Sequence, residues 1–508
     1  MEVLPTPQLT SALAEKWQLS LLIGVIAAAI YAALQVLSRP TIPANAPRIL
    51  QGLPVLGSVG FFRARADFLR AGKAWAPKGL FSFYYGPHRI VAVSRDTDKK
   101  MFFSHRALDF AAGYAALFAG APDVRHMGHE DETKQTTERF SILFKRFLAK
   151  PRLHACLGNL VGDTIAAFDA LDTSKAMDPF DTMYKLIFQL THRTVGCNDI
   201  AADPKLLEKS LALFTDLDAT GAVEVMFPWL PTPVKLRKLW GGARMHWMFQ
   251  RIMKQRREQG QPGNDAMQLM MDAGDTDLQI SVFIIGALFA GVVNSGINAA
   301  WIPVYLAQNE NWRQLVRAEV DASLDKHRRG PADTPADIIP RLTAQDWDND
   351  FPTVDLVLRE SIRLNICGSM IRKNVSGKDI DITGSGYVIP SNTFAVYLID
   401  YTHMNPEIYT DPTEFDPGRY LPGREEDKKG DNAYLGWGAG LHPCQLVGMR
   451  FAKLEMAMLI VTLMAYFDFD LCDKQGNPRT TPVPRTNRNW PSVRPIVGDM
   501  FIKLKRRF

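Results

Sequence analysis

A glycine-rich loop that ends in a cysteine, directly before a long apolar helix, constrains this chain more than any other feature. The loop runs from Tyr434 to Cys444 and holds Gly436, Gly438 and Gly440. Glycine has no Cβ, so such a turn can approach a flat ligand closely. The following run, VGMRFAKLEMAMLIVTLMAY, predicts a helix. A helix N-terminus stabilises an ionised thiol through its dipole and its backbone N–H groups. The loop therefore predicts a thiolate ligand; the alternative is a glycine turn with a chance cysteine.

The other cysteines and the charge balance exclude several classes of protein. The five cysteines lie at positions 156, 197, 367, 444 and 472, with no C-x-x-C spacing and an odd total. This pattern disfavours a disulfide framework and a zinc ribbon, and it indicates a reducing compartment. The 59 basic and 54 acidic residues leave a net charge of only +5. That charge is too small to predict a nucleic-acid partner.

The N-terminal segment predicts a membrane anchor. Residues 19–37 are almost wholly apolar, and at about 1.5 Å of helical rise per residue they span a bilayer core. A cleaved signal peptide is the alternative, but the apolar run is too long and no cleavage site follows it. The positive-inside rule places the large domain in the cytosol. We predict an anchor at 1–38, a stiff proline-rich linker at 39–58 and a catalytic domain at 59–508. The basic residues behind this orientation are Arg39, Arg48, Arg63 and Arg65.

The remaining pattern predicts a mainly α domain with a minor β region. Residues 79–94 read as a β-hairpin around Gly86-Pro87, because aromatic and β-branched runs flank the turn. A mainly helical region is predicted from about 95 to 370. Short strands and turns follow from 371 to 435, and a final helix spans 446–466.

The loop resembles the ligand loop of the cytochrome P450s, which reads aromatic-x-x-Gly-x-(Arg or His)-x-Cys. Trp437, Gly440, His442 and Cys444 fall on those positions. The family pattern then has Gly two residues after the cysteine, whereas this chain continues as QLVG and resembles the pattern displaced by a two-residue insertion. The resemblance implies a haem-thiolate fold after one N-terminal transmembrane helix. It also implies haem b, with Cys444 as axial iron ligand and Gly438 in the haem-facing turn.

Two further segments resemble the family in the expected order. Glu360 and Arg363 match the family's E-x-x-R, and Arg419 matches its P-x-R segment. In the family these charged groups form one buried network behind the haem, and buried charges persist only when paired. The alternative for the helical pair is a solvated face. Arg372 matches a common haem-propionate contact, as does His442; for Arg372 the alternative is a surface strand arginine.

The segment AGVVNSG, residues 290–296, resembles the family's central distal helix. Gly291 would let haem and dioxygen approach the backbone. Val293 stands where the family usually has an acid, and Asn294 where it has a threonine. Asparagine there resembles the branch that holds prostacyclin synthase and the bile-acid-forming sterol hydroxylases. We expect Asn294, Ser295 and ordered water to relay protons.

The resemblance implies a monooxygenase that oxidises a bulky apolar molecule, such as a steroid, triterpenoid or other terpenoid of secondary metabolism. Its electrons would come from NADPH through a cytochrome reductase, with cytochrome b5 as an optional second donor. The implied location is the endoplasmic reticulum membrane, single-pass, with a cytosolic catalytic domain. The alternative functions are a haem-thiolate isomerase or dehydratase that needs no reductase, and a ligand carrier without chemistry.

Two surfaces follow from this implied function. The basic residues that could form a docking face for the reductase are Lys145, Arg146, Arg450 and Lys453. The alternative interpretation is that they are scattered, solvated surface charges. The aromatic and small residues that could line the substrate pocket are Phe110, Tyr114, Phe118, Ala287 and Ala290. The alternative interpretation is that they pack in the protein core.

Overall fold

The computed structural model describes residues 39–117, 130–219, 221–227, 230–444, 446–489 and 500–507, together with positions 17, 20, 22–31 and 33–34. Within these ranges the chain is mainly helical with small sheets, as the sequence predicts. The helices of the first half are α1 (Leu22–Tyr31), α2 (Gly60–Arg63), α3 (Arg65–Trp75), α4 (Lys99–Ser104), α5 (Phe110–Leu117), α6 (Glu130–Phe147), α7 (Lys150–Asp169), α8 (Pro179–Val195), α9 (Asn198–Ala202), α10 (Pro204–Asp218), α11 (Ala222–Met226) and α12 (Pro233–Gln259).

The second half of the chain adds helices around one long central member. They are α13 (Ala266–Asp272), α14 (Asp277–Gln308), α15 (Glu310–His327), α16 (Pro335–Ile338), α17 (Ala344–Asn349), α18 (Pro352–Asn365), α19 (Asp400–His403) and α20 (Leu446–Tyr466). Short 3-10 turns at Pro417–Tyr420 and Glu426–Lys428 interrupt the region predicted as strands and turns.

Helix α14 is the axis of the main hydrophobic core. A capping box between Thr276 and Gln279 starts it and satisfies its first N–H groups. Its apolar side chains face neighbours on most sides, so most of the helix is buried. Of the described helices it alone has the length and composition to cross a membrane, but more than half of its most apolar window is buried inside the protein. These properties are those of a core helix.

Two glycines bring α8 close to α14. A Cβ on Gly296 would lie 2.5 Å from the ring of Tyr184, and a Cβ on Gly291 would lie 2.9 Å from the methyl group of Thr191. Real side chains essentially never make such contacts, so only glycine permits this spacing. The close packing fixes the position of the middle of α14, where the distal motif lies.

The strands form one sheet of five strands and three smaller ones. Strand β1 (Phe81–Tyr85) and β2 (His88–Val93) are the predicted hairpin, and Gly86 turns it at φ +54°. In the five-stranded sheet the order is β1-β2-β8-β5-β3; β11-β12-β4 form a second sheet. The pairs β6–β7 and β9–β10 complete the described strands. The remaining bounds are β3 (Leu108–Asp109), β4 (Ala176–Met177), β5 (Ser369–Asn374), β6 (Ile380–Ile382), β7 (Tyr387–Ile389), β8 (Phe394–Leu398), β9 (Gly438–Ala439), β10 (His442–Pro443), β11 (Phe467–Cys472) and β12 (Phe501–Arg506).

The proline-rich segment 39–58, predicted as a stiff linker, is hydrogen-bonded to the sheet. The Leu50 N–H donates to the Ser82 carbonyl at 2.8 Å, and the Ser82 N–H donates to the Arg48 carbonyl at 2.9 Å. The open edge of β1 therefore pairs with this segment, because an unpaired strand edge offers N–H and C=O groups to any adjacent chain. The segment belongs to the folded domain from at least residue 48.

Helix α1 lies within the segment predicted as an anchor. Its large apolar side chains are half exposed or more, among them Leu22 at 55% and Ile23 at 59%. The Tyr31 ring lies 6.3 Å from the Phe227 ring, close to the start of α12. Part of the predicted anchor, 1–38, lies outside the described residues. An apolar helix whose side chains are exposed in this way is typical of a segment that contacts a membrane.

Candidate active site

The predicted ligand loop forms a tight hairpin of β9 and β10. The Cys444 N–H donates to the Trp437 carbonyl at 2.5 Å and closes the loop. Gly438 has φ +75° and Gly440 has φ +63°, a region that disfavours residues with a Cβ. A Cβ on Gly440 would lie 2.1 Å from the carbonyl oxygen of Phe103. The backbone therefore requires both glycines.

The Cys444 residue is solvent-accessible, although protein surrounds much of its thiol. Burial raises the pKa of this thiol. Helix α20 begins two residues later, at Leu446. A Cβ on Gly448 would lie 3.4 Å from the Cys444 sulfur. Gly448 therefore lies beside the sulfur although two extra residues precede it, and the insertion leaves the helix start close to the thiol.

The three charged residues predicted as a network lie together and are buried. Glu360 accepts from Arg363 at 2.7 and 2.8 Å, from the Arg419 Nε at 3.0 Å and from the Tyr420 hydroxyl at 2.9 Å. Arg419 also donates to Glu426 at 2.6 Å. Both arginines and Glu360 are at most 1% exposed. Each charge is paired and hydrogen-bonded, which is the condition for burying it.

The network reaches the ligand loop through His403. Arg363 donates to the carbonyl of His403 at 2.7 Å. The Nε2 atom of the same residue accepts the N–H of Leu435, in the ligand loop, at 2.9 Å. Burial and the adjacent Arg363 lower the pKa of His403 well below its usual value, so its ring is neutral and free to accept. Sequence reasoning missed His403, because a lone histidine between two motifs carries no spacing signal.

Arg372 is a buried cation that forms no ion pair with any carboxylate among the described residues, although Asp109 acts on it electrostatically. It is 2% exposed, and its Nε has no hydrogen-bond partner among the described residues. Its Nη1 donates only to the carbonyl of Ile371, and its guanidinium lies 5.1 Å from the Phe110 ring centre. Burial lowers its pKa. A cation in this state fits an anionic group of a ligand, since buried charges otherwise require a counter-charge.

One face of α14 is open at the distal motif. Ala290 and Asn294, four residues apart on the same helix face, are exposed, and Gly291 is partly buried. Ser295 and Ala287 are both buried, and Ser295 lies beside Glu455 of α20; their predicted roles stay predictions. One residue turns a helix by about 100°, so Ser295 points away from the side that Asn294 presents. The geometry favours Asn294 as the polar side chain of the open face.

The other predicted pocket and loop residues are only partly described. Phe110 is 40% exposed, and its ring lies 4.4 Å from that of Tyr114, which is partly buried. The Trp437 side chain packs against the main core. Phe118 and the side chain of His442 lie outside the described residues.

The comparisons with known proteins agree with this geometry. The family model described as "Cytochrome P450" matches residues 47–488. This chain belongs to the cytochrome P450 family. A cytochrome P450 monooxygenase of Aspergillus aculeatus, AacuE, is 30% identical over 89% of this chain and 91% of its own length. Another, nsrP of Aspergillus novofumigatus, is 32% identical over 84% of both chains.

A plant enzyme and a solved structure extend the family match. Obtusifoliol 14-alpha demethylase of Sorghum bicolor is 27% identical over 72% of this P450 and 71% of its own length. The structure of retinoic acid-bound cyanobacterial CYP120A1 superimposes with a TM-score of 0.70, at 21% identity, over 92% of this P450 and all of that chain. It supports the fold. The resemblance of Asn294 to the prostacyclin synthase branch stays a prediction.

The residues present fit the haem iron that the P450 family binds. Cys444 would supply the sulfur ligand, and Arg372, whose buried Nε has no partner among the described residues, would supply a cation for a propionate. When bound, a haem with a thiolate ligand activates dioxygen for oxidation of an apolar substrate. Arg363, which is paired with Glu360, donates to the His403 carbonyl, and the His403 ring accepts the Leu435 N–H of the ligand loop. These contacts fix the position of the loop.

We expect the neutral state of His403 to destabilise this P450 in mild acid. Below about pH 6.5 this histidine is protonated in the unfolded chain, whereas in the folded protein its imidazole stays neutral. The histidine's contribution to stability is therefore complete above that pH, and it falls by up to about 1.4 kcal/mol per pH unit as the pH decreases. The measurement is the free energy of unfolding between about pH 7.5 and 5 for the wild type and for His403→Gln, which keeps an acceptor but does not titrate.

The two proteins are compared by the slope of the free energy of unfolding against pH. The difference between their slopes gives the contribution of His403, because the other buried groups contribute equally in both. His192 behaves in the same way, since burial lowers its pKa to about 3, and Glu455 acts in the opposite direction, since burial raises its pKa well above its usual value. The exposed His154 provides the control: His154→Gln should leave the wild-type slope unchanged. Identical slopes for the wild type and His403→Gln would contradict the expectation.

Proposed function

We propose that this P450 is a membrane-anchored monooxygenase that uses haem b. It would transfer one oxygen atom from dioxygen to a bulky apolar steroid, triterpenoid or other terpenoid of secondary metabolism. NADPH would supply the electrons through a cytochrome reductase, with cytochrome b5 as an optional donor. The observation that carries the proposal is the accessible Cys444 at the end of a loop whose positive φ angles at Gly438 and Gly440 favour glycine. A relative named a sterol 14-demethylase in Arabidopsis thaliana supports a sterol-like substrate.

The roles of the chain's own residues follow from their placement. Cys444 would hold the iron, and Arg372 would neutralise a propionate. On the open face of α14, the Asn294 amide can hold an ordered water, because an amide donates and accepts hydrogen bonds. Neighbouring Val293 offers no polar group. Proton delivery would then pass through water that Asn294 positions, since an amide does not itself titrate.

Replacing Asn294 with alanine is expected to uncouple electron consumption from product formation. Without the amide, water on the open face loses an anchor, and proton delivery becomes disordered. NADPH consumption should continue while product per NADPH falls by about 100-fold, the lower end of what a positioned proton transfer contributes. Ser295→Ala is the matched control, because Ser295 is buried against α20. Tight coupling in Asn294→Ala would defeat the proposed role.

The decisive experiment for the reaction class is the dependence on electrons. Purified enzyme reconstituted with a reductase should turn over a substrate only when NADPH and dioxygen are both present. Turnover of a peroxide substrate without NADPH would instead favour an isomerase or dehydratase, which the apolar Val293 and the asparagine at 294 motivate. Binding of a steroid or terpenoid with no redox dependence at all would favour a carrier.

A membrane location is supported by two exposed apolar surfaces, one on α1 and one on α12. The side chains of α1 are exposed, and its Tyr31 contacts Phe227, shortly before α12. Helix α12 itself exposes Trp240 at 57% and Trp247 at 52%. Exposed tryptophans are enriched at membrane interfaces. We propose a single-pass protein of the endoplasmic reticulum whose catalytic domain faces the cytosol.

Reductase docking is proposed on the side of the ligand loop. Lys145, Arg146 and Arg450 are exposed, whereas Lys453 is paired with Asp355 at 2.7 Å and has less free charge to offer. Salt screens such contacts, so reduction kinetics should slow as ionic strength rises.

A further inference from the structure

Helix α12 presents an exposed apolar row on its outer side. The row consists of four side chains that are each more than half exposed: Leu236, Leu239, Trp240 and Trp247. Residues three, four or seven positions apart share one side of a helix, and the two tryptophan rings indeed meet edge to face, with their centres 5.5 Å apart. The other side of α12 is buried, with Met245, Phe249 and Ile252 among its members. That packing fixes the apolar row toward the outside of the protein.

A row of arginines runs beside the apolar row. It consists of Arg237, Arg244 and Arg251, which are all exposed and seven residues apart. Seven residues at about 100° each return to nearly the same side of a helix, so the three side chains leave α12 along one line. Arg244 and Arg251 each come one turn after a tryptophan, so the arginine row borders the aromatic rings. The whole helix holds eight basic residues and a single acid, Glu258, near its end.

None of the three arginines forms an ion pair with another residue that the structure describes. The surface ion pairs of α12 lie in its last turns instead, where Lys254 pairs with Glu258 at 3.7 Å and Arg257 with Asp277 at 2.5 Å. An exposed apolar row bordered by basic residues is typical of a helix that lies in the headgroup region of an anionic membrane. Tryptophan is also the side chain that is most at home in that region.

The start of α12 is close to the point where α1 contacts the folded domain. Tyr31 of α1 contacts Phe227, and α12 begins six residues later, at Pro233. A fully extended chain covers at most about 3.6 Å per residue, so the two points are no more than about 22 Å apart. This distance is shorter than the roughly 30 Å thickness of the hydrocarbon layer that α1 would enter. A domain held to a membrane through α1 can therefore reach the lipid headgroups with α12.

We propose that this face of α12, the apolar row together with the arginine row, lies in the headgroup region of an anionic phospholipid layer. It is a second membrane contact, made by the catalytic domain itself. The tryptophan rings enter the interface, and the guanidinium groups bind lipid phosphates, whose oxygens they match in geometry. Two contacts fix the orientation of the domain on the membrane, whereas one anchor does not. This inference rests on the proposed function, because it requires the membrane location.

The test measures whether Trp240 and Trp247 enter lipid. Full-length protein is placed in nanodiscs of phosphatidylcholine, either alone or mixed with phosphatidylserine. Each kind of disc is also made with brominated phosphatidylcholine, whose bromine atoms quench tryptophan fluorescence on contact. The emission lost by the wild type, minus that lost by Trp240→Phe/Trp247→Phe, is the signal of these two rings. We expect a clear signal with phosphatidylserine and little or none without it.

The arginine row is tested by the triple variant Arg237→Gln/Arg244→Gln/Arg251→Gln. One basic side chain near an anionic membrane strengthens binding about fivefold, so three removals should lower the ratio of docked to undocked domain about 100-fold. The signal of the two rings, measured again as the difference that the tryptophan substitutions make, should then disappear even with phosphatidylserine.

Two controls on α15 match these substitutions. Lys326→Gln/Arg328→Gln/Arg329→Gln removes the same number of charges from exposed positions at the end of that helix. Trp312→Phe removes a partly buried tryptophan from the same helix. Both variants should keep the phosphatidylserine-dependent signal of Trp240 and Trp247.

Absence of the signal in the wild type, a signal of equal size without phosphatidylserine, or one that survives the triple arginine substitution would each overturn the proposal. A dimer in detergent that Trp240→Phe/Trp247→Phe dissociates would also overturn it, because the face would then bind a second copy of the chain. Failure of the proposed membrane location would appear separately. Alkaline carbonate would then extract the wild type from membranes, whereas failure of the α12 contact alone leaves the protein in the membrane pellet.

Discussion

Replacing Cys444 with serine is expected to abolish thiolate ligation and turnover. Serine is smaller and its hydroxyl does not ionise at neutral pH, so it offers iron no charged ligand. In the reduced protein exposed to carbon monoxide, the Soret band typical of a thiolate ligand should disappear. Substrate oxidation should fall by more than the roughly 100-fold that the loss of an outer-shell partner costs at metal sites, because here the ligand itself is removed.

Cys156→Ser is the matched control for this substitution. Cys156 is also buried, and its sulfur contacts the Arg193 carbonyl at 3.7 Å, a hydrogen bond that serine can keep. This variant should retain the band and the activity. Survival of the thiolate band in Cys444→Ser, or its loss in Cys156→Ser, would remove the basis for assigning the iron ligand to position 444.

Replacing Glu360 with alanine is expected to lower the free energy of unfolding by about 3–5 kcal/mol. The substitution leaves Arg363 and Arg419 as buried cations that have lost their shared carboxylate. Tyr420 also loses its acceptor. Because Arg363 and the ligand loop meet at His403, haem content per protein should fall together with stability. Chemical denaturation and haem quantification measure the two effects.

The control for Glu360 is an exposed pair with the same spacing. Glu310 pairs with Arg313 three residues later on α15, and Glu310 is 54% exposed. Glu310→Ala should change stability little, because surface ion pairs contribute little. Comparable losses from the two substitutions would contradict the conclusion that burial makes the Glu360 network important.

Local sequence patterns were sufficient to predict the elements whose periodicity and turn residues lie close together in the chain. The hairpin β1–β2 and helix α20 have periodicity and turn residues within a few positions. The strand pairs β3–β5 and β4–β12 were missed, because each joins a two-residue strand to a partner far along the chain. Such pairing depends on tertiary structure and leaves no local pattern.

The candidate site divides in the same way. Cys444, Glu360, Arg363 and Arg419 stand in motifs, whereas His403 matters only through Arg363 and Leu435, which folding brings to it. The side of α14 that is left open could not be read from the sequence: Ala290 and Asn294 are exposed, whereas Ser295 and Ala287 are buried. The physical reason is that α14 is apolar almost all round, so its sequence has no polar stripe to mark the side left open.

The link through His403 has a consequence for local opening. Its ring holds the Leu435 amide, while its own carbonyl is bound by Arg363 of the buried network. The amide hydrogen of Leu435 can therefore exchange with solvent deuterium only when the network region also opens. Although it lies in a loop, this amide should be protected about as strongly as the amides of the protein core.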